Sequence, residues 1–109
     1  MGNYIEKRHW GTFEILLDEK YCKVKRLVLS PNKSISYQYH YKRNEDWVIV
    51  SGVGEFTLNG ISRVVKYGYG LNIPALSKHK IENIGTDDLI IIETQTGETF
   101  SEEDIVRIS

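Results

Sequence analysis

A succession of short segments with strand character, each closed by turn residues and none carrying a sustained helical apolar period, most restricts what this chain can fold into. Candidate strands run near Thr12 to Leu17, Tyr21 to Leu29, Ser34 to His40, Trp47 to Ser51, Gly54 to Leu58, Ile61 to Lys66, Gly70 to Ile73, His79 to Asn83 and Leu89 to Thr96. Asn59-Gly60 lies between Phe56-Thr57-Leu58 and Ile61-Ser62-Arg63-Val64-Val65 and predicts a tight hairpin, because both residues accept the positive φ of a type I′ turn. Gly85-Thr86-Asp87-Asp88 reads as a further hairpin loop, and Pro31-Asn32 as a turn. Ser101 followed by Glu102, Glu103 and Asp104 has the form of a capped helix start, so a short helical turn is expected before Arg107. With 109 residues and no repeat or linker, residues 1–109 form one domain of all-β class: a sandwich, a jelly roll or a closed barrel.

Charge and cysteine content narrow the partners. The 14 basic and 15 acidic residues give a formal charge of -1, which offers no general attraction to nucleic acid or to an anionic membrane. A single cysteine, Cys22, precludes an internal disulfide and fits a reducing, cytoplasmic compartment. No apolar run approaches a membrane span, and the charged N-terminus lacks the apolar centre of a signal peptide.

The chemistry concentrates in Ser36 to Trp47. As a strand, this stretch sets Ser36, Gln38 and His40 on one face and Tyr37, Tyr39 and Tyr41 on the other. If the polar face lines a barrel interior, Gln38, His40 and the following Glu45 converge, with His79 available as a fourth group. An amide oxygen, two imidazoles and a carboxylate, with no thiolate, suit Zn, Mn, Fe, Co or Ni, and open positions on such an ion would serve catalysis or ligand binding. The same residues also fit a solvated strand face with tyrosines packed inward. Beyond Glu45, Trp47 and Ile49 share its parity while Asp46, Val48 and Val50 take the other; neither face is cleanly polar, so this strand is expected to be covered on both sides.

The order of these motifs resembles the cupins: Gln38-Tyr39-His40, then Glu45, then Ile73-Pro74-Ala75 with His79 and Asn83. More narrowly, the chain is similar to the cupin domain of the type II phosphomannose isomerases, a domain found alone or fused to a mannose-1-phosphate guanylyltransferase. The residues that carry this resemblance are Arg8-His9-Trp10-Gly11, Tyr21 through Leu27, Arg43-Asn44-Glu45-Asp46-Trp47 through Gly52, His79-Lys80-Ile81-Glu82-Asn83, and the tail from Glu93 to Arg107. The resemblance implies a double-stranded β-helix, a divalent metal on Gln38, His40, Glu45 and His79, a catalytic role for Arg107, and a homodimer. The chain departs from the family's pattern at His9, Tyr41, Lys42, Asp46 and Leu76, where the family has Pro, histidines and, at the last position, Gly; none of these is an implied ligand. A chain of 109 residues has no room for the nucleotidyltransferase.

The expected reaction is interconversion of mannose 6-phosphate and fructose 6-phosphate, which needs a base, an electrophile for the enediolate oxygen and a cation for the phosphate. Lys25 and Arg107, with Arg26 or Arg43 as substitutes, are the phosphate candidates. Glu93, which shares a face with Gln95, is the candidate base, and Trp10 a candidate pocket wall. Iron-dependent oxygen chemistry, a non-catalytic sugar-binding module and a metal-free structural domain are the alternatives to an isomerase.

Overall fold

The computed structural model describes residues 3–108. Eleven strands and one 3₁₀ turn follow in order: β1 (Ile5–Arg8), β2 (Gly11–Asp18), β3 (Cys22–Leu29), β4 (Ser34–His40), β5 (Arg43–Ser51), β6 (Val53–Leu58), β7 (Ile61–Lys66), β8 (Gly70–Ile73), β9 (His79–Asn83), β10 (Leu89–Gly97), the 3₁₀ turn Glu102–Asp104, and β11 (Ile105–Arg107). They form two antiparallel sheets, one ordered β1-β2-β3-β10-β5-β8 and the other β11-β4-β9-β6-β7. After β1, β2 and β3, which share a sheet, the chain passes from one sheet to the other at every step except the β6–β7 hairpin, as in a jelly roll. Among the described residues no helix is long and apolar enough to cross a membrane.

Local chemistry explains most boundaries. Asn59 and Gly60 have φ of 48° and 83°, and they close the β6–β7 hairpin in the register that pairs Leu58 with Ile61. Ser101 caps the 3₁₀ turn by accepting the Glu103 N–H. Gly11 is required where β2 begins, because a Cβ there would lie 1.8 Å from the Val28 carbonyl oxygen.

Three expectations change. Gly85 to Asp88 is a crossing between sheets and not a hairpin loop, because β9 and β10 pair with different partners. Val48 and Val50 are exposed, so β5 is covered on one face only: its outer neighbours are the flanking strands of its own sheet. Tyr37, Tyr39 and Tyr41 lie on the outer side at β4, which overturns the alternative with tyrosines packed inward; Tyr39 and Tyr41 pack edge to face, and Lys80 lies over Tyr37. The strands β1 and β11 carry no strong alternation of their own and form by pairing with β2 and β4.

The interior changes character along the barrel, and register explains where. Inward positions of β10 run Leu89, Ile91, Glu93, Gln95; across from them β3 supplies Leu29, Leu27, Lys25 and β5 supplies Ile49, Trp47, Glu45. Aliphatic residues therefore meet aliphatic residues at one end, around Leu29, Ile49, Ile81, Leu89 and Ile91, all fully buried. Lys25, Glu93, Glu45 and Gln95 meet at the other end. A polar end enclosed by strands is costly unless its groups satisfy one another or a ligand.

Candidate metal centre

His40 ends β4, Glu45 opens β5 and His79 opens β9, so two sheets deliver three donor groups to one level of the barrel. One ligand atom from each lies within 4.8 Å of the others. His40 Nε2 is 3.5 Å from Glu45 Oε2, and His79 Nε2 is 3.7 Å from Glu45 Oε1. The loop after β8 fixes the end of β4: the Leu76 N–H donates to the His40 carbonyl at 2.7 Å, although Leu76 itself adopts φ of 72°.

The donor set fits a cation. Both Nε2 atoms are buried without a hydrogen-bond partner. His79 Nδ1 lies 2.9 Å from the Ser77 carbonyl, which can only accept, so the proton sits on Nδ1 and the Nε2 lone pair faces the carboxylate. A lone pair opposite a carboxylate oxygen is repulsive unless a positive charge lies between them. Burial, followed by the Arg43 guanidinium, pushes the His40 imidazole down to about 3, and burial also lowers His79, so both rings are neutral and metal-competent near neutral pH.

Glu45 is held from two further directions. Arg43 Nε donates to Oε2 at 3.0 Å, and Trp47 Nε1 donates to Oε1 at 3.1 Å. Trp47 Nε1 also reaches Glu93 Oε2 at 3.1 Å, while Gln95 Nε2 donates to Glu93 Oε1 at 2.8 Å. The indole thus bridges the carboxylate beside the two histidines to a second one. Burial first, and then the Glu45 charge, raise Glu93 to about 8, with Lys25 opposing.

Above this floor opens a cleft of about 360 Å³ whose lining includes Trp10, Lys25, Gln38, Glu93, Gln95 and Arg107. Gln38 borders the cleft, pairs in register with His79, and accepts from Ser36 Oγ at 3.3 Å. Lys25 is buried beside Phe13, and Arg107, opposite Gln38 on β11, is exposed at the rim. Of the two substitute cations, Arg26 points out of the barrel to Glu14, while Arg43 lines the cleft with its guanidinium engaged by Glu45. Asn83 sits at the apolar end, where its amide donates to the Leu29 and Asp87 carbonyls, a structural role.

Sequence reasoning missed Arg8 and Glu102 at the cleft, and Arg43 as the partner of Glu45. Arg8 belongs to the Arg8-His9-Trp10-Gly11 motif, but nothing in the alternation tells that β1 and the C-terminal turn meet across the mouth.

A family model described as the C-terminal part of mannose-6-phosphate isomerase matches residues 4–109. The chain belongs to this family. It is 39% identical over 100 residues to a putative mannose-1-phosphate guanylyltransferase of Vibrio cholerae, covering 92% of the chain and 22% of the relative. The chain spans about a fifth of the length of the curated relatives it matches. In fold it is similar to the capsular polysaccharide assembling protein CapF of Staphylococcus aureus, with a TM-score of 0.86 at 22% identity over 98% of this chain and 34% of that one. A Klebsiella pneumoniae protein with a double-stranded β-helix domain superposes with a TM-score of 0.78 at 18% identity, over 88% of this chain and 82% of that one. The fold is the cupin double-stranded β-helix.

Proposed function

We propose that this cupin domain is a divalent-metal-dependent aldose-ketose isomerase acting on a sugar phosphate, with mannose 6-phosphate and fructose 6-phosphate as the pair. One observation carries the reading: a single cleft is lined by Glu45, the carboxylate that His40 and His79 approach from below, by an inward carboxylate at Glu93 and by cations at Lys25 and Arg107. The description of the matched family model supports the same chemistry. Nucleotidyl transfer, the activity in the relatives' names, is carried by proteins about four times as long and is not the reading favoured for this domain.

His40, Glu45 and His79, with Gln38 beside them, would hold the metal, which when bound supplies the electrophile that polarises the sugar carbonyl. Once ionised, Glu93, made a stronger base than a free carboxylate by its burial and the Glu45 charge, accepts the proton from one carbon and returns it to the adjacent one, held in place by Trp47 Nε1 and Gln95 Nε2. Lys25, fixed against Phe13, and Arg107 hold the phosphate at the mouth. Trp10 walls the sugar and keeps water off the reacting carbons. The lone Cys22 supports a reducing, cytoplasmic setting for this reading.

The test is metal analysis of the purified protein beside a Gln38→Ala/His40→Ala/His79→Ala variant, with both assayed for mannose 6-phosphate to fructose 6-phosphate conversion. Stoichiometric metal and turnover in the parent alone are expected. Metal without turnover would reject the isomerase and leave a metal-binding module. Absence of metal after adding divalent ions would reject the centre itself.

A further inference from the structure

The mouth of the cleft holds two cations on one aromatic ring. Arg8 Cζ lies 5.4 Å and Lys25 Nζ 4.5 Å from the Phe13 ring centroid, so a buried phenyl fixes both positive groups at the same wall. Lys25 is only 5% exposed, yet its ammonium makes no hydrogen bond among the described residues. Its nearest carboxylate is Glu102, with Oε2 at 3.8 Å, while Glu102 Oε1 lies 3.6 Å from Arg8 Nη2. One carboxylate therefore spans two cations at distances too long for hydrogen bonds. A lysine that is buried as a residue and offers its ammonium to the cleft with only this loose partner is a site built for a better acceptor.

The backbone that carries Glu102 is pinned. Asp104 accepts the Lys42 N–H at 2.9 Å and the Tyr41 N–H at 3.3 Å, and Arg43 Nη1 donates to the Ser101 carbonyl at 3.3 Å. The Glu102 side chain, by contrast, is 46% exposed and free to rotate outward. The turn can stay in place while its carboxylate leaves.

Resting on the sugar-phosphate reading above, we propose that Arg8 and Lys25 form an oxyanion subsite for the phosphate monoester, and that the Glu102 carboxylate is its resident occupant, displaced when a phosphate enters. A phosphate dianion offers three acceptor oxygens and twice the charge of the carboxylate, so it satisfies both cations where Glu102 spans them at a distance. Glu102 thereby raises the threshold for anions: monoanions compete poorly with it, and a dianion displaces it. Arg8 thereby joins Lys25 and Arg107 among the cations that line the phosphate site. Glu6, also paired with Arg8, holds the guanidinium toward the mouth.

Isothermal titration with inorganic phosphate tests this, with a chelator present so that no metal supplies the binding. Glu102→Gln is expected to bind phosphate roughly 3- to 10-fold more tightly than the parent, the range set by two solvent-screened ion pairs. The exposed neighbour Glu103→Gln should be unchanged, and Lys25→Met should lose the binding. Arg8→Gln, at an exposed position, gives the same loss if Lys25→Met does not fold. Equal or weaker binding by Glu102→Gln overturns the displacement, and no phosphate binding by parent or Glu102→Gln overturns the subsite. Because the titration needs neither metal nor turnover, tight phosphate binding in a protein without isomerase activity keeps the subsite and rejects the isomerase; turnover without the phosphate pattern does the reverse.

Discussion

Replacing Arg43 by Met should destabilise the metal-free protein and make it depend more strongly on metal. Arg43 is 3% and Glu45 1% exposed, and they meet at 3.0 Å, so neither is screened by solvent. Methionine keeps the apolar stem and removes the charge, which leaves Glu45 buried with only the Trp47 N–H as a close donor. Breaking a buried pair from one side costs about 3–5 kcal/mol. The lost Arg43 bond to the Ser101 carbonyl adds about 1 kcal/mol. A cation bound by His40, Glu45 and His79 compensates the Glu45 charge in place of the guanidinium, and it no longer faces a positive neighbour. Ligand binding at about 100 times Kd stabilises by about 2.7 kcal/mol; the gain from added Zn should exceed the parent's by about 1–3 kcal/mol in Arg43→Met. Urea unfolding with chelator and with Zn, on both proteins, reads all four values. A variant that folds only with metal is the extreme form of the expected result. If Zn stabilises Arg43→Met no more than the parent, then Arg43 and the metal do not share Glu45, and the electrostatic account of the centre is wrong.

Two further expectations concern pH and backbone strain. His40 titrates near 3 in the folded protein against about 6.5 unfolded, so between those values the unfolded chain binds the extra proton; stability is present above pH 6.5 and is lost as pH falls, by up to about 1.4 kcal/mol per unit. Glu93 has the opposite sign, its contribution being lost as pH rises toward 8, so the parent alone mixes the two; the metal-free His40→Asn variant should show a smaller acid-side loss than the parent in urea midpoints at pH 7, 6 and 5, and identical slopes would defeat the assignment. Leu76→Gly should raise stability by about 0.5–1 kcal/mol, because relief of a left-handed leucine, about 1–2 kcal/mol, exceeds the extra unfolded-state entropy of glycine. A lower melting temperature for Leu76→Gly would show that the exposed leucine makes a contact that outweighs its strain.

Leu76 also shows how far a motif can be read without coordinates. The family's glycine at this position already signals a positive φ, and the structure finds one there. Likewise Gln38 and His40 stood out because the polar trio Ser36, Gln38 and His40 on a strand backed by tyrosines needs a reason; Ser36 and Gln38 line the cleft, and His40 meets Glu45 and His79. Glu93 was legible by the face it shares with Gln95, and Lys25 by its charge; they meet in register across β3 and β10. Arg26 and Arg43 were not separable by residue type. One position of parity sends Arg26 to solvent and Arg43 to the interior.

The sequence by itself determined the class of the fold, most strand positions, the Asn59-Gly60 turn and which residue types face inward, because a strand's two-residue period and the φ preferences of Asn and Gly act locally. Tertiary structure decided which sheet each strand joins, that Gly85 to Asp88 crosses between sheets, and that Arg8 and Glu102 meet at the mouth from nearly opposite ends of the chain. Most of the strand pairings join segments distant in sequence, and such contacts are selected by the burial of the whole interior, not by any one segment. The position of the polar end follows from that selection: only when β3, β5 and β10 are in register does the Lys25–Glu93 pair lie next to the Glu45–Gln95 pair, beyond the aliphatic end.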